Sequence, residues 1–382
     1  MSNITPMNIF RKLITMVAAA VLVSSGAASG APIAKDLPAG PTPGGFTSDN
    51  VEWVAHMPFD IDTSGARLIG KFFYITNSRG LTIYDVSDPL SPQLQGVLPL
   101  PQEPYFAEED VDSNGNILLI STIDSLYVID VEDKTSPQII GELAGAEQHT
   151  WSCLLDCRWA YGSGGMIADL RDPTAPKEAG EWGKGLPASS GHDVTEVKPG
   201  FVVTSTQPVM LLDVRKDPTK PKLLAVGANS DNRFIHSNLW PNQMKERYLL
   251  VGGETSGPAC DDADDGKFMT WDTEGWAKTH TLTLVDEYQV TNGLPTEGNA
   301  PANLFCTHWF DTHPKYRHGG LVAMAWYEHG TRLFDIDKKG KISEAGYFVP
   351  FAGSTSAAYW VTNEILYTAD YNRGIDILRV AP

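Results

Sequence analysis

Four histidines open four stretches of similar texture: His149 in "HTWSCLLDC", His192 in "HDVTEVKPG", His236 in "HSNLWPNQ" and His308 in "HWFDTHPK". Each stands 9 to 13 residues before a short apolar run. The chain has nine histidines, so four at one phase of a recurring pattern is more than scatter. Imidazole nitrogens bind transition metals, and ligands from separate segments supply the geometry if the fold brings them together. Glu108 or Glu109, Asp62 and Ser354 fall near the same phase, and a carboxylate there could complete or orient the site. The expected ligand set is His149, His192, His236, His308 and Glu108, holding a divalent transition metal (Cu, Fe, Mn or Zn). The competing reading is that the same histidines hydrogen-bond one another's backbones or channel waters and hold no metal.

A second group sits in the turns "NSRGL", "GGETS", "WYEHGT" and "YNRGI". It offers Arg79, Glu254 and Arg373, with Trp309 nearby, as contacts for a small anionic or sugar-like substrate. Glu328 and His329 are the candidates for acid or base. The alternative for Arg79 and Arg373 is that they decorate glycine-containing turns. "DDADDG" at 261–266 has the look of a calcium loop but lacks the twelfth-position Glu and flanking helices. No nucleophile elbow, P-loop or dinucleotide fingerprint is present. His280, His313 and His318 have no repeat phase.

The elements that would position these residues come from an internal repeat. "GLTIYDVSDPLSPQLQGVLPL", "SLYVIDVEDKTSPQIIGELAG", "GMIADLRDPTAPKEAGEWGKG" and "VMLLDVRKDPTKPKLLAVGAN" each hold an apolar strand ending in Asp, a Pro-containing turn and a second strand. The landmark aspartates are Asp85, Asp130, Asp169 and Asp213, with looser copies at Asp272 and Asp335. A last copy, "GIDILRV", carries Arg379 instead. Two further strand-like runs precede each landmark, so each unit has four strands, the signature of a β-propeller blade. The fold expected is all-β: a single seven-bladed propeller, with "NVEWVAHMP" from Asn50 completing the last blade. In such a fold the first strand of each blade lines the axis, and the four histidines fall at its start. The aspartates would cap the turns through side-chain to backbone hydrogen bonds.

"LTIYDVSDP" and "LYVIDVEDK" resemble LVIVD repeats, and the region after the N-terminal lead-in is similar to exported bacterial LVIVD-repeat β-propellers. The resemblance implies the propeller fold and names no chemistry. Two function classes therefore stand side by side. One is a metal-dependent oxidoreductase or lyase with the axial histidines as ligands. The other is a non-catalytic propeller that binds a protein or glycan partner.

The net charge of −18 argues against nucleic acid and anionic membrane surfaces as partners. A monomer with a small-molecule or glycan ligand at the axial mouth is expected. Arg11 and Lys12 precede the apolar run "LITMVAAAVLVSS", and small residues follow in "GAASGAP". This is the layout of a signal peptide over 1–30, too short to span a membrane, and it implies an exported, periplasmic or extracellular protein. Residues 31–48 read as a flexible lead-in and 49–382 as the propeller. In an oxidising compartment, Cys153, Cys157, Cys260 and Cys306 suggest two disulfides, of which three connectivities exist. Cys153 and Cys157 would be roughly 13 Å apart in one straight strand, so their pairing needs a turn at Leu155 and Asp156. Cys260 with Cys306 would be the second bridge, and a zinc site is the weaker alternative. Expression with an export pathway should yield a mature chain whose N-terminus, read by mass spectrometry, is Ala31. An intact Met at the N-terminus of the exported product would contradict the cleavage site.

Overall fold

A computed structural model describes residues 42–57, 63–77, 80–101, 111–122, 124–227, 234–254, 266–290 and 306–381. These belong to one compact unit of 29 strands, with two helices of four residues each. The strands form four-stranded antiparallel sheets in chain order. The first sheet is Gly65–Ile69, Phe72–Asn77, Gly80–Asp85 and Gln93–Pro99. The second is Asp112–Ser113, Ile117–Ser121, Ser125–Asp130 and Gln138–Ala144. The third is Trp151–Leu154, Trp159–Gly162, Met166–Asp169 and Lys177–Glu181. Val194–Lys198, Phe201–Thr204, Met210–Asp213 and Lys222–Gly227 follow, then Phe234–Leu239, Tyr248–Glu254, Phe268–Asp272 and Thr281–Tyr288. These two sets join through a short parallel pairing, Val226 with Thr281 and Gly227 with Leu282. Phe310–Thr312, Gly320–Ala325, Thr331–Ile336 and Ile342–Pro350 come next. In the last sheet, Thr355–Trp360, Ile365–Asp370 and Gly374–Val380 are joined by Val51–Met57 from the other end of the chain. No described helix is long and apolar enough to cross a membrane.

Apolar clusters lie between sheets consecutive in sequence. Tyr74, Leu81 and Ile83 pack with Leu118, Ile120 and Ile129. Leu154, Tyr161 and Ile167 pack with Val202, Met210 and Leu212. Another cluster joins the last sheet to the first, with Phe73 edge-on to Tyr359 and Tyr367 at 5.9 and 5.4 Å. Close approach explains one recurring residue. A Cβ on Gly96 would stand 2.4 Å from the Lys134 carbonyl oxygen, and one on Gly141 would stand 2.1 Å from that of Pro173. The outer strand of one sheet thus lies directly on the Pro-containing turn of the next, and only glycine fits.

Five of the six landmark aspartates act as turn caps, and in the Asp335 copy Asp337 does so instead, its Oδ1 accepting the N–H groups of Lys339 (2.7 Å) and Lys341 (2.9 Å). Oδ1 of Asp85, Asp130, Asp169, Asp213 and Asp272 accepts the backbone N–H two residues on, at 2.8, 2.9, 3.1, 3.1 and 2.9 Å. Hydrogen bonds from Lys71 and Ser87 hold Asp85 at a pKa of about 2. Where the last copy carries Arg379, its guanidinium pairs instead with Glu52 of Val51–Met57.

Two features differ from expectation or extend it. The lead-in expected over 31–48 ends in a strand: Gly45–Thr47 pairs antiparallel with Phe348–Pro350 as a fifth strand on its sheet. Three residues beginning with glycine carry no alternation to announce this, and the pairing follows from an available sheet edge. Cys153 and Cys157 form a disulfide with Cα atoms 4.4 Å apart. Leu155, Asp156 and Cys157 all take positive φ (52°, 64° and 52°), which folds the strand back sharply enough to bring the sulfurs together. Cys306 is disulfide-bonded, while Cys260 lies outside the described residues.

Asp376 fastens Val51–Met57 to the last strand. It accepts hydrogen bonds from Trp53 Nε1 (2.8 Å), Arg373 Nη2 (3.1 Å) and Arg373 Nε (3.3 Å), and lies 3.1 Å from His56 Nδ1. Burial pushes its pKa up, but the bonds from His56, Arg373 and Trp53 outweigh burial and the carboxyl stays below its ordinary value. Such a group stabilises the fold above the unfolded pKa, near 4, and the contribution is lost as pH falls through the folded value. Asp376→Ala should cost about 2–4 kcal/mol in denaturant unfolding near neutral pH, because several donors lose their acceptor at once. The difference from the parent protein should shrink below pH 4. A variant as stable as the parent at pH 7 would show that this latch is not a structural tie.

Candidate functional site

Each of the four histidines enters the axis by a local backbone device. His149 N–H donates to Ser163 Oγ (2.9 Å), which fixes the residue two positions before the inner strand Trp151–Leu154. His192 is pinned by its N–H to Ser205 O (3.1 Å), while its own carbonyl accepts from Thr150 Oγ1 of the preceding sheet (2.8 Å). His236 is the extra residue of a β-bulge: Ile235 pairs with Gly253 and Ser237 with Gly252, and His236 is skipped. A bulge turns one side chain out of the regular alternation, here toward the axis. His308 is held by its N–H to Ala325 O (2.9 Å) and by Ser237 Oγ donating to its carbonyl (3.0 Å). Gly252 permits this approach, since a Cβ there would lie 2.7 Å from Ser237 Oγ and 2.8 Å from Thr307 Oγ1.

The four imidazoles meet as a string. Ring centroids are 4.3 Å apart for His149 and His192, 3.8 Å for His192 and His236, and 4.1 Å for His236 and His308. His192, His236 and His308 are buried. His149 Nε2 and His192 Nε2 are 2.7 Å apart, a hydrogen bond that requires the proton on one nitrogen and a lone pair on the other. Two nitrogens on one tetrahedral metal would stand roughly 3.4 Å apart at ordinary metal–nitrogen lengths. Among the described residues, a group that could hold a metal lies one step along the string. Ligand atoms of His192, His236 and Glu254 all fall within 4.8 Å of one another. Glu254, expected as a substrate contact, therefore stands where a carboxylate ligand would. Glu108, expected as that carboxylate, and Asp62 lie outside the described residues. Two imidazoles and one carboxylate form a donor set suited to Fe, Zn or Mn, with coordination positions left for other ligands.

Two tyrosines and a tryptophan border the string. Tyr327 Oη donates to Glu254 Oε1 (2.5 Å), and its ring lies 4.7 Å from that of His308. Tyr371 stacks on Tyr327 at 6.1 Å, and its hydroxyl is 3.4 Å from His308 Nε2. His308 Nδ1 meets Ser356 O. Trp309, expected as a substrate contact, packs 5.0 Å from His236. Neither tyrosine was expected at the site. The signal was the residue just before "EHG" and just before "NRG" in two of the turns already singled out.

The remaining candidates are distributed differently. Glu328 and His329 are buried in the turn 326–330, closed by His329 N–H to Trp326 O and Gly330 N–H to Tyr327 O. They share that turn with Tyr327, whose side chain reaches the string. Arg373 is engaged within the chain by Asp376 and by the Phe351 carbonyl (3.1 Å), which places it in the structural latch rather than at the string. Arg79 lies outside the described residues.

Comparison with known proteins bears on the fold. Residues 62–98 match the family model of the LVIVD repeat. A chain in the crystal structure of the mitotic checkpoint complex superposes with a TM-score of 0.57 at 14% identity, covering 97% of this chain and all of that one. At that identity the likeness is one of propeller-like fold alone. No curated protein matches the sequence.

Asp370 supports the turn that carries Tyr371. Its Oδ1 accepts from Asn372 N–H (2.9 Å) and Arg373 N–H (3.1 Å), and burial pushes its pKa up to about 6. A carboxyl whose folded pKa is raised is easiest to bury below its unfolded pKa. The penalty then builds as pH rises from the unfolded value of about 4 to the folded value of about 6, and stays level above it. Asp370→Asn keeps the Oδ1 acceptor and removes that charge. It should melt at a higher temperature than the parent at pH 8, by about 2–3 kcal/mol of stability, and the two should converge near pH 4. A variant less stable at both pH values would contradict the burial penalty.

Proposed function

We propose that this chain is an exported, seven-bladed β-propeller enzyme closed by Val51–Met57, and that it depends on a divalent transition metal at the start of its inner strands. The observation that carries the reading is the convergence of His192, His236 and Glu254 within 4.8 Å. These three residues would hold the metal, and His149 would orient His192 through the 2.7 Å imidazole pair. A metal so bound supplies Lewis-acid or redox chemistry, which makes oxidoreductase or lyase activity the class of reaction.

The chain's own groups have defined parts. Tyr327 Oη donates to Glu254 Oε1 and so orients the carboxylate. Tyr371 Oη and His308 Nε2, 3.4 Å apart, form a proton-carrying pair beside it. Trp309 and the tyrosine rings exclude water from one side of the string. The substrate is read as a small organic molecule. The case for an anionic one rested on Arg79 and Arg373, and the guanidinium of Arg373 is already engaged by Asp376.

A second reading is favoured by the imidazole pair itself. A histidine string satisfied by mutual hydrogen bonds could serve a non-catalytic propeller that binds a protein or glycan. Metal analysis of the purified protein separates the two. The enzyme reading expects close to one equivalent of Fe, Zn, Mn or Cu. His236→Ala and Glu254→Gln should each reduce that content at least about tenfold, the loss expected when one of three ligands goes, while circular dichroism stays unchanged. Metal should also dissociate on acidification, since protons compete for imidazole. Metal-free protein that binds none of these ions after reconstitution would leave the binding-module reading.

A further inference from the structure

The outer strand of the first sheet, Gln93–Pro99, differs from the outer strands of the others. Residues 89–102 hold no charged side chain. The strand pairs with Gly80–Asp85 on one side, and no described strand pairs with its other side. Elsewhere the outer strand carries a charge or a further strand. Glu142 lies in Gln138–Ala144, Lys177, Glu178 and Glu181 lie in Lys177–Glu181, and Glu52 lies in Val51–Met57. Gly45–Thr47 covers the edge of Ile342–Pro350, and Lys222–Gly227 pairs in part with Thr281–Tyr288. Charge and covering strands are the usual means of keeping a sheet edge from pairing with another chain.

The exposed apolar side chains gather at that same edge. Leu90, Leu94 and Val97 are 46%, 57% and 51% exposed. The one other large apolar side chain so exposed among the described residues is Phe351, and its ring packs edge-on against Phe46 at 5.3 Å. A β-bulge creates the patch. Gly96 pairs with Ile83 and Leu94 with Tyr84, so Gln95 is skipped. In a regular strand Leu94 and Val97, three apart, would face opposite sides. The extra residue puts both on one side. Gly96 and Leu98 face the next sheet instead, where Gly96 lies on the Lys134 carbonyl oxygen and Leu98 packs with the cluster of Leu118 and Ile129.

We propose that two copies of this chain associate through this edge, Gln93–Pro99 of one pairing antiparallel with the same strand of the other, in place of the monomer expected from the sequence. Antiparallel pairing of identical strands is two-fold symmetric, so one edge serves both copies. Charge selects the occupant. Each copy carries a net charge of −18, and two such bodies repel except where a neutral face is presented. This edge puts no like charges opposite each other, and it offers a charged partner nothing to pair with. The fold already adds strands to outer edges in this way, as Gly45–Thr47 does on residues 348–350. Leu90, Leu94 and Val97 leave water in the contact, which supplies its apolar driving force. The association does not depend on the proposed metal.

Sedimentation velocity of the whole chain, from about 1 to about 100 μM, tests the proposal. The unaltered protein should be dimeric at the upper end and dissociate on dilution. Added salt should tighten the dimer, because screening weakens the repulsion between copies. Leu94→Lys and Val97→Lys each put a charge on a side chain that already meets water. Both variants should melt as the parent does and weaken the dimer at least about tenfold. Glu178→Lys, on the outer strand of another sheet, should leave the dimer intact. In unaltered protein, hydrogen exchange over 93–99 should slow between the dilute and the concentrated sample. A monomer at every concentration would overturn the proposal and leave the edge to a different partner. So would a dimer that survives both lysine variants at 94 and 97, that Glu178→Lys weakens equally, or that salt loosens. Exchange over 93–99 that ignores concentration would overturn it too, and that comparison stands even if a variant does not fold.

Discussion

Strands that pair only with their neighbours in sequence make good sheets but do not by themselves make one molecule. Here the hydrogen-bonded ladders are almost all local hairpins, and what joins one sheet to the next is packing between their faces. That packing depends on distance. Gly96 and Gly141 let an outer strand rest on the backbone of the next turn, and tyrosine hydroxyls tie the same layers together, as Tyr367 does to Pro89 O at 2.7 Å. The exceptions to locality are Gly45–Thr47, paired with Phe348–Pro350, the short parallel pairing of Val226 and Gly227 with Thr281 and Leu282, and above all Val51–Met57, paired with Gly374–Val380 across nearly the whole chain. It gives the last sheet its fourth strand, and the Asp376 cluster secures it with Trp53, His56 and Arg373. Every inner strand takes its place relative to the others from this spacing.

The histidine string is a consequence of that spacing. No two of its members are close in sequence, and adjacent rings nonetheless sit about 4 Å apart. Small local departures make this possible. The bulge at His236 turns one ring inward, and Gly252 lets the backbone at His308 close up behind it. The burial of these rings means that hydrogen bonds must come from the protein or a ligand, so the string is fixed by its partners as much as by packing.

The repeat could be read from the sequence because its signals are local: alternation, Asp before a Pro-containing turn, and a period that names a blade. The phase of the histidines could be read for the same reason. What could not be read depends on contacts between units. Glu254 and His236 share one sheet, yet only the bulge brings the carboxylate and imidazole to one place. Arg373 looks like a free cation in a glycine turn until Asp376, three residues on, engages it. Gly45–Thr47 becomes a strand because a sheet edge is available, not because its own sequence asks for one.

Trp309 divides the axis into two environments with different chemistry. On one side lie imidazoles, two tyrosines and a carboxylate, a set that can exchange protons and donate lone pairs. On the other lie more carboxylates than cations. A continuous channel would mix these and let solvent reach both. The Trp309 indole packs against His236 and also lines a cavity of about 410 Å3 at the far end of the inner strands. Because that indole touches both sides, a ligand on the acidic side would press on the ring that packs against His236. The two ends are therefore chemically separate but mechanically adjacent, and the contact between Trp309 and His236 is where one could influence the other.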